Sequence, residues 1–310
     1  MPFLPVGGQA VIEGVMMRSP TKMAVAVRQP DGSLAFLDRP FESITRRVKV
    51  LGLPVIRGAV SLFETLALGI TALNFSADEA SKEETQGKDA KQPAWFPYVQ
   101  GLTVLVSLAL GLRLFVVLPA RLTGWLGFHG RVGFGLVDGA FRLLAFVLYL
   151  TLISQWKEMA RVLGFHGAEH KAIHALEAGA PLTPESVQTF PRLHPRCGTT
   201  FLFLVVLVSI VVFTFIGRPT SLAQHGLRIL CMPIIAGVAF ELVRLSGKYF
   251  DKPWVRAIVW PGMQFQRLTT REPDLEMCRV AIASIERVKD DPVLLQVQRA
   301  GGSTNMDFIQ

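Results

Sequence analysis

The chain has 310 residues, half of them hydrophobic, and a formal net charge of +8. Its mean hydropathy is clearly positive, which excludes an ordinary soluble domain and points to a membrane α-helical protein with aqueous parts. The positive charge does not point to nucleic acid: Lys and Arg lie beside apolar segments, where anionic headgroups account for them, and no basic block is interleaved with aromatics.

Residues 1–50 read as a β-rich cytoplasmic part. Met1–Val6 carries two prolines, no basic residue and no apolar run behind it, so no signal peptide is expected. Gln9–Met17 reads as strand, Met23–Gln29 as another, Pro30-Asp31-Gly32 as a turn and Ser33–Leu37 as the returning strand, giving a sheet of three or more strands. Gly7-Gly8-Gln9 matches the tripeptide with which release factors hydrolyse peptidyl-tRNA, but three residues weigh little and a turn into a strand is the plainer expectation.

In residues 54–76, Arg57 and Glu64 interrupt an apolar stretch, the pattern of an interfacial helix or of one packed on a bundle, with a fifth span left open. Residues 77–97 form a charged, aperiodic linker. A four-helix membrane domain is expected over 99–245, with spans at Val99–Pro119, Gly133–Ser154, Thr199–Gly217 and Leu227–Leu245. Each is long enough, at ~1.5 Å per residue, to cross a hydrocarbon core of about 30 Å. Arg113, Asp138, Arg142 and Glu241 inside these spans raise transport as a reading. However, Asp138 with Arg142 and Glu241 with Arg244 are spaced to pair on their own helices, and no internal repeat is visible. The 156–198 loop holds Lys157, Arg161, Lys171, Arg192 and Arg196, while the connections near 120–132 and 218–226 hold Arg121, Arg131 and Arg218. That bias puts the loop and both termini on the cytoplasmic side of a bacterial inner membrane.

The loop also carries the chemistry. His166, Glu169 and His170 form H-x-x-E-H, which on a helix turns both imidazoles and the carboxylate to one face. His166 and His170 would hold a divalent metal, zinc by preference, with His194 or Cys197 as third ligand and one position left for water. Glu169 would take a proton from that water, and Lys171 or Arg196 would stabilise a developing oxyanion. For Cys197, ligand, nucleophile and packing residue all stay open, whereas Cys231 and Cys278 read as packing and no disulfide is expected. His174 is a weaker ligand candidate.

Residues 246–295 return to water. Asp274–Val288 reads as an amphipathic helix with Leu275, Cys278, Ile282 and Ile285 on its apolar stripe, docked on the sheet, and 296–310 as a disordered tail. Thr269, Thr270, Arg271 and Glu13 are candidates for substrate or supporting contacts, weighed equally against turn and capping roles.

GGQAVIEGVMMRSP at 7–20, LNFSAD at 73–78, GFHGAEHK at 164–171, LHPRCGTTFLF at 193–203, RLSGKY at 244–249 and PGMQFQRLTTREPD at 261–274 together resemble the bacterial YqhQ-like family over almost the whole chain. The resemblance implies a membrane protein described as a predicted metal-dependent enzyme, with a metal role for His166, Glu169, His170, His194 and Cys197, and supplies no reaction. The function expected is therefore a metal-dependent, hydrolytic membrane enzyme. Its partners would be membrane lipids and a lipid-linked or membrane-peptide substrate, with a homo-oligomer left open. The alternative is a scaffold, biogenesis factor, channel or transporter whose His/Cys cluster is a closed structural site.

Overall fold

The computed structural model describes residues 4–82, 95–128, 130–250 and 252–299. Strands β1 (Gly7–Val11), β2 (Gly14–Arg18), β3 (Lys22–Arg28) and β4 (Leu34–Pro40) form an antiparallel meander in chain order. The stretch expected as one strand, Gln9–Met17, is two. The chain reverses at Ile12-Glu13, with Glu13 in the left-handed region at φ 53° and its carbonyl accepting from the Arg28 amide at 2.8 Å. Such a reversal without Asn-Gly or Asp-Gly leaves little trace in a sequence. Alternation along β3 sends Met23, Val25 and Val27 to one face and Ala24 and Ala26 to the other, and both faces are buried.

The helices follow. They are α1 (Ile44–Arg47), α2 (Ile56–Ala80), α3 (Phe96–Leu112) continuing through a wide π turn (Arg113–Val117) into α4 (Leu118–Trp125), α5 (Arg131–Ile153), α6 (Lys157–Glu177) and α7 (Pro184–Gln188). Then come α8 (Gly198–Ile216), α9 (Leu222–Leu230), α10 (Met232–Lys248), α11 (Pro253–Thr269), α12 (Leu275–Val288) and α13 (Pro292–Arg299). Among the described residues, five stretches are long and apolar enough to cross a membrane: Ile56–Ala80, Gly101–Trp125, Arg131–Ile153, Gly198–Ile216 and Leu222–Gly247.

Four of these are the expected spans with shifted ends. The fifth, α2, behaves differently: its first turns lie on α10, with Gly58 against Gly237 and Phe240, while Leu68, Ala72 and Phe75 cover the Met23/Val25/Val27 face of the sheet. Arg57 of α2 grips Glu241 of α10 at 2.7 Å, which displaces the expected pairing of Glu241 with Arg244 to 4.0 Å. Residues 77–80, expected as linker, are the last turn of α2, and 83–94 lie outside the described residues.

Between α5, α8 and α9 a charged knot is fully buried. Asp138 Oδ2 accepts from Arg142 at 3.0 Å and from Arg228 at 3.3 Å, and both guanidiniums lie over the Phe213 ring, 4.6 and 4.8 Å from its centroid. Arg142 also donates to Ser209 Oγ, and Arg228 to the Gly217 carbonyl. The pairing of Asp138 with Arg142 follows from their spacing. Arg228 joins it only through the fold.

The second face of the sheet is covered by α6 and α12, so the sheet is sandwiched between these two and α2. The expected amphipathic helix is α12, capped by Asp274, whose carboxylate accepts from the Met277 amide at 2.7 Å. Its buried stripe is Cys278, Ala281, Ile285 and Val288, with Met277 and Ser284 beside it; Leu275 is exposed and Ile282 only partly covered, so the stripe is rotated from the one expected. Helix α11 was not expected, because Pro261 sits inside it. Residues 292–299 are helical, and 300–310 lie outside the described residues.

Candidate metal centre

Helix α6 is buried almost continuously from Leu163 to Glu177, and its glycines set how closely its neighbours approach. A Cβ at Gly167 would stand 2.1 Å from the Arg271 carbonyl oxygen. The absence of one lets the chain leaving α11 lie on α6 and brings the Thr269 carbonyl to His166.

His166 Nδ1 lies 2.7 Å from the Thr269 carbonyl and His170 Nδ1 lies 2.5 Å from the Arg192 carbonyl. A carbonyl only accepts, so both rings carry a proton on Nδ1 and present Nε2 elsewhere, the arrangement that orients metal-binding histidines. His166 Nε2 is 3.3 Å from Cys197 Sγ, and the ligand atoms of His166, His170 and Cys197 all lie within 4.8 Å of one another. Cys197 is the N-cap of α8, where its sulfur accepts from the Thr199 amide at 3.4 Å and meets the positive end of the helix. Glu169 Oε2 stands 3.6 Å from His170 Nε2 and 3.9 Å from His166 Nε2.

Burial pushes the Cys197 thiol up, but the charges of His166 and His170 outweigh it and hold the group well below the ordinary thiol range. Burial likewise opposes protonation of His166, yet Cys197 and Glu169 raise it to about 9. The Glu169 carboxyl is raised, by burial first, against the pull of His170 and His166. A donor set of two imidazole nitrogens and one thiolate suits zinc or another divalent transition ion.

The other candidates fall into place around this trio. His194 does not join it: its Nε2 lies 3.4 Å from Glu177 Oε2, its Nδ1 accepts from the Arg196 amide, and its peptide is clamped by Gln266 at 2.8 and 2.7 Å. Arg196 pairs with Glu177, donates to the Leu4 carbonyl and lines the cavity in front of the trio. Lys171, one residue past His170 and so about 100° round the helix, points away and binds the Gln188 carbonyl at 2.8 Å and Glu272 at 2.5 Å. Thr269 supports the site through its carbonyl and its hydroxyl on Thr199; Thr270 caps α11. Arg271 donates to the Ser154 carbonyl, and Glu13 pairs with Arg161 and Arg28 in the strand turn. Cys278 packs in the core beside Gln188.

His174, Glu177 and His194 also stand together, but His174 Nε2 meets the Leu193 carbonyl, and Glu177 and His194 are taken up by Arg196 and one another. Burial pushes His174 down to about 4 and His194 to about 3, so both rings are neutral in the folded protein. In the unfolded chain they take up protons near 6.5. Stability is therefore expected to fall as pH drops from 6.5 towards 4, by up to about 1.4 kcal/mol per pH unit for each ring. Melting curves between pH 7 and 5 read this. His174→Gln, whose amide still reaches the Leu193 carbonyl, should remove one ring's share of the slope; an unchanged slope would contradict the assignment.

Gly7 and Gly8, which the sequence suggests only as a turn into a strand, belong to the site. They line a cavity of about 90 Å³ together with His166, Glu169, His170, His194, Arg196 and Cys197. A Cβ at Gly8 would stand 2.6 Å from Glu169 Cγ and 2.7 Å from its Oε1, so only glycine leaves the carboxylate its place. The glycine pair was the available signal, since adjacent glycines opening a strand mark a close backbone approach.

A family model described as "Protein of unknown function (DUF1385)" matches residues 53–291, which include every member of the trio. The Bacillus subtilis (strain 168) protein described as "Uncharacterized protein YqhQ" is 31% identical over 291 residues, covering 91% of this chain and 91% of its own. No solved structure matches.

Proposed function

The chain belongs to this family of unknown function, and from that premise we propose that it is a metal-dependent hydrolase working where the membrane bundle meets its aqueous domain. The observation that carries the reading is the convergence of His166, His170 and Cys197 on one point, with both histidines fixed through Nδ1 and Glu169 beside them. A divalent ion held by these three would supply Lewis acidity and a water acidified towards neutral pH. Glu169, whose carboxyl burial raises above the ordinary carboxylate value, accepts the proton of the attacking water and delivers it to the leaving oxygen. Water oxygen thus replaces the leaving oxygen on the carbonyl carbon or phosphorus, and no other reactant is needed. Arg196, at the cavity wall, faces the charge that develops on the reacting group.

The order of the elements supports a cytoplasmic placing of the α6 side. The sheet precedes α2 and packs on α6, which follows α5, so an even number of crossings separates them. Helix α2, half of which covers the sheet, is the one left out, and four crossings remain. The basic residues on the α6 side then make that side cytoplasmic.

Elemental analysis of detergent-purified protein, made without a chelating tag, tests the reading. About one zinc, iron or manganese ion per chain is expected, with less than about a tenth of that in His166→Ala/His170→Ala, because two of three ligands are gone. Folded protein that stays metal-free after supplementation sinks the metalloenzyme. It would favour a second reading, supported by the 3.3 Å Cys197–His166 contact, in which the thiolate is itself the nucleophile; alkylation of Cys197 would then persist below the pH at which ordinary thiols stop reacting.

A further inference from the structure

A second, larger cavity adjoins the first. It measures about 260 Å³ and lies between β1 and β2 of the sheet and the helices α2 and α10. Its walls are mostly apolar, with Met16, Phe41, Leu68, Phe240 and Val243 among them, and its charged lining is Arg18, Arg196 and Arg244 with no acid. Val6, Gly7, Gly8 and Arg196 line both cavities, so the glycine pair forms a wall without side chains between them.

Arg18 has no carboxylate within ion-pair distance among the described residues; its guanidinium lies over the Phe41 ring, 4.4 Å from the centroid. Glu64, which acts on it from further away, is taken up by Ser43 and by the Ile44 amide at 2.7 Å. A half-buried arginine left facing an apolar space is costly unless an anion visits it. The outer face of α2 beside the cavity exposes Leu62, Phe63, Leu66 and Ile70, a surface suited to acyl chains.

We propose that this cavity binds a phosphate-bearing membrane lipid, its phosphate among Arg18, Arg244 and Arg196 and the start of its chain between Leu68, Phe240 and Val243, so that the headgroup reaches past Gly7-Gly8 to Glu169. Three guanidiniums lining one cavity, with Arg18 the one that has no carboxylate at ion-pair distance among the described residues, match a phosphate better than a single carboxylate, since each offers a planar fork of donors. The apolar lining excludes a free soluble phosphate ester as the best ligand. A peptide would have to satisfy its backbone groups, and the walls offer few partners. The inference rests on the hydrolase reading only in naming this lipid as substrate; binding itself does not require the metal.

Delipidated full-length protein in detergent, titrated with phosphatidic acid and followed by native mass spectrometry, tests it. Saturable binding of one lipid is expected, at least about tenfold tighter than phosphatidylcholine of the same chains, whose headgroup carries a compensating cation. Arg18→Gln should weaken it by about tenfold or more, Arg18→Lys should restore part, and Leu68→Trp, which fills the cavity without touching charge, should block it. Equal binding of the two lipids, indifference to all three variants in folded protein, or equally tight binding of inorganic phosphate would overturn the proposal. Glu169→Gln and His166→Ala/His170→Ala should bind phosphatidic acid like the parent. Lipid binding without metal would thus fail the hydrolase reading alone, and metal without lipid selectivity would fail this inference alone.

Discussion

Glu169→Gln is expected to keep its metal and lose turnover by about 10²–10⁴-fold, the share usually carried by a positioned general base. The amide matches the carboxylate in size, so the contact with Gly8 and the placing of α6 against β1 survive. What goes is the ability to receive a proton 3.6–3.9 Å from the two Nε2 atoms. The comparison is release of a water-soluble fragment from labelled membrane lipid, with metal content and melting temperature measured on the same samples. Loss of the ion with the activity would make Glu169 a ligand instead of a base, and unchanged turnover would remove it from the chemistry. Removing a carboxylate that burial raises should also change the shape of the pH profile: the acid limb that Glu169 protonation imposes on the parent should be missing from the residual activity.

The largest effect on stability is expected at Asp138. Asp138→Asn leaves Arg142 and Arg228, both at most 3% exposed, without their shared anion. Breaking a buried pair from one side costs about 3–5 kcal/mol, because the surviving charges stay desolvated. In a chain of this size that is a fall in melting temperature of roughly 10 °C, readable by thermal unfolding in detergent. Metal content of the folded fraction should not change, since the knot lies among α5, α8 and α9 and the trio on α6 and the start of α8. A melting temperature within about 1 °C of the parent would mean that the arginines find other acceptors, which the Phe213 ring and Ser209 alone are not expected to provide.

Local pattern carried much of this molecule and long-range pairing carried the rest. The spans were legible because a run such as 199–217 has no charge, and His166 with His170 because helical spacing alone puts them on one face. Cys197 was legible as one of several options, and the fold brings its sulfur to the two imidazoles. His194 and Lys171 read equally well as site residues, yet one is bound by Glu177 and Gln266 and the other by Gln188 and Glu272. None of those partners is near in sequence except by folding. Gly8 was hidden for a different reason: it contributes an absence of atoms, and the need for that absence exists only once Glu169 is opposite. Helix α11 was masked by Pro261, although its Gln266 and Thr269 hold the His194 peptide and the His166 ring.

The Thr269 carbonyl that fixes His166 has a consequence for biosynthesis. It is translated 103 residues after the ring it orients, by the difference of their numbers, and at ~5–20 residues per second that is roughly 5–20 s later. Throughout that interval α6 has been made, with α2, α3, α4 and α5 between it and the oldest part of the chain. The position of the His166 ring is nevertheless not yet fixed, and of the cavity lining only Val6, Gly7 and Gly8 come from the early part of the chain. A nascent chain therefore carries His166, His170 and Cys197 before it carries the geometry that fixes the His166 ring. On the metal reading proposed above, loading would belong to the finished protein, once α11 has brought the Thr269 carbonyl to His166.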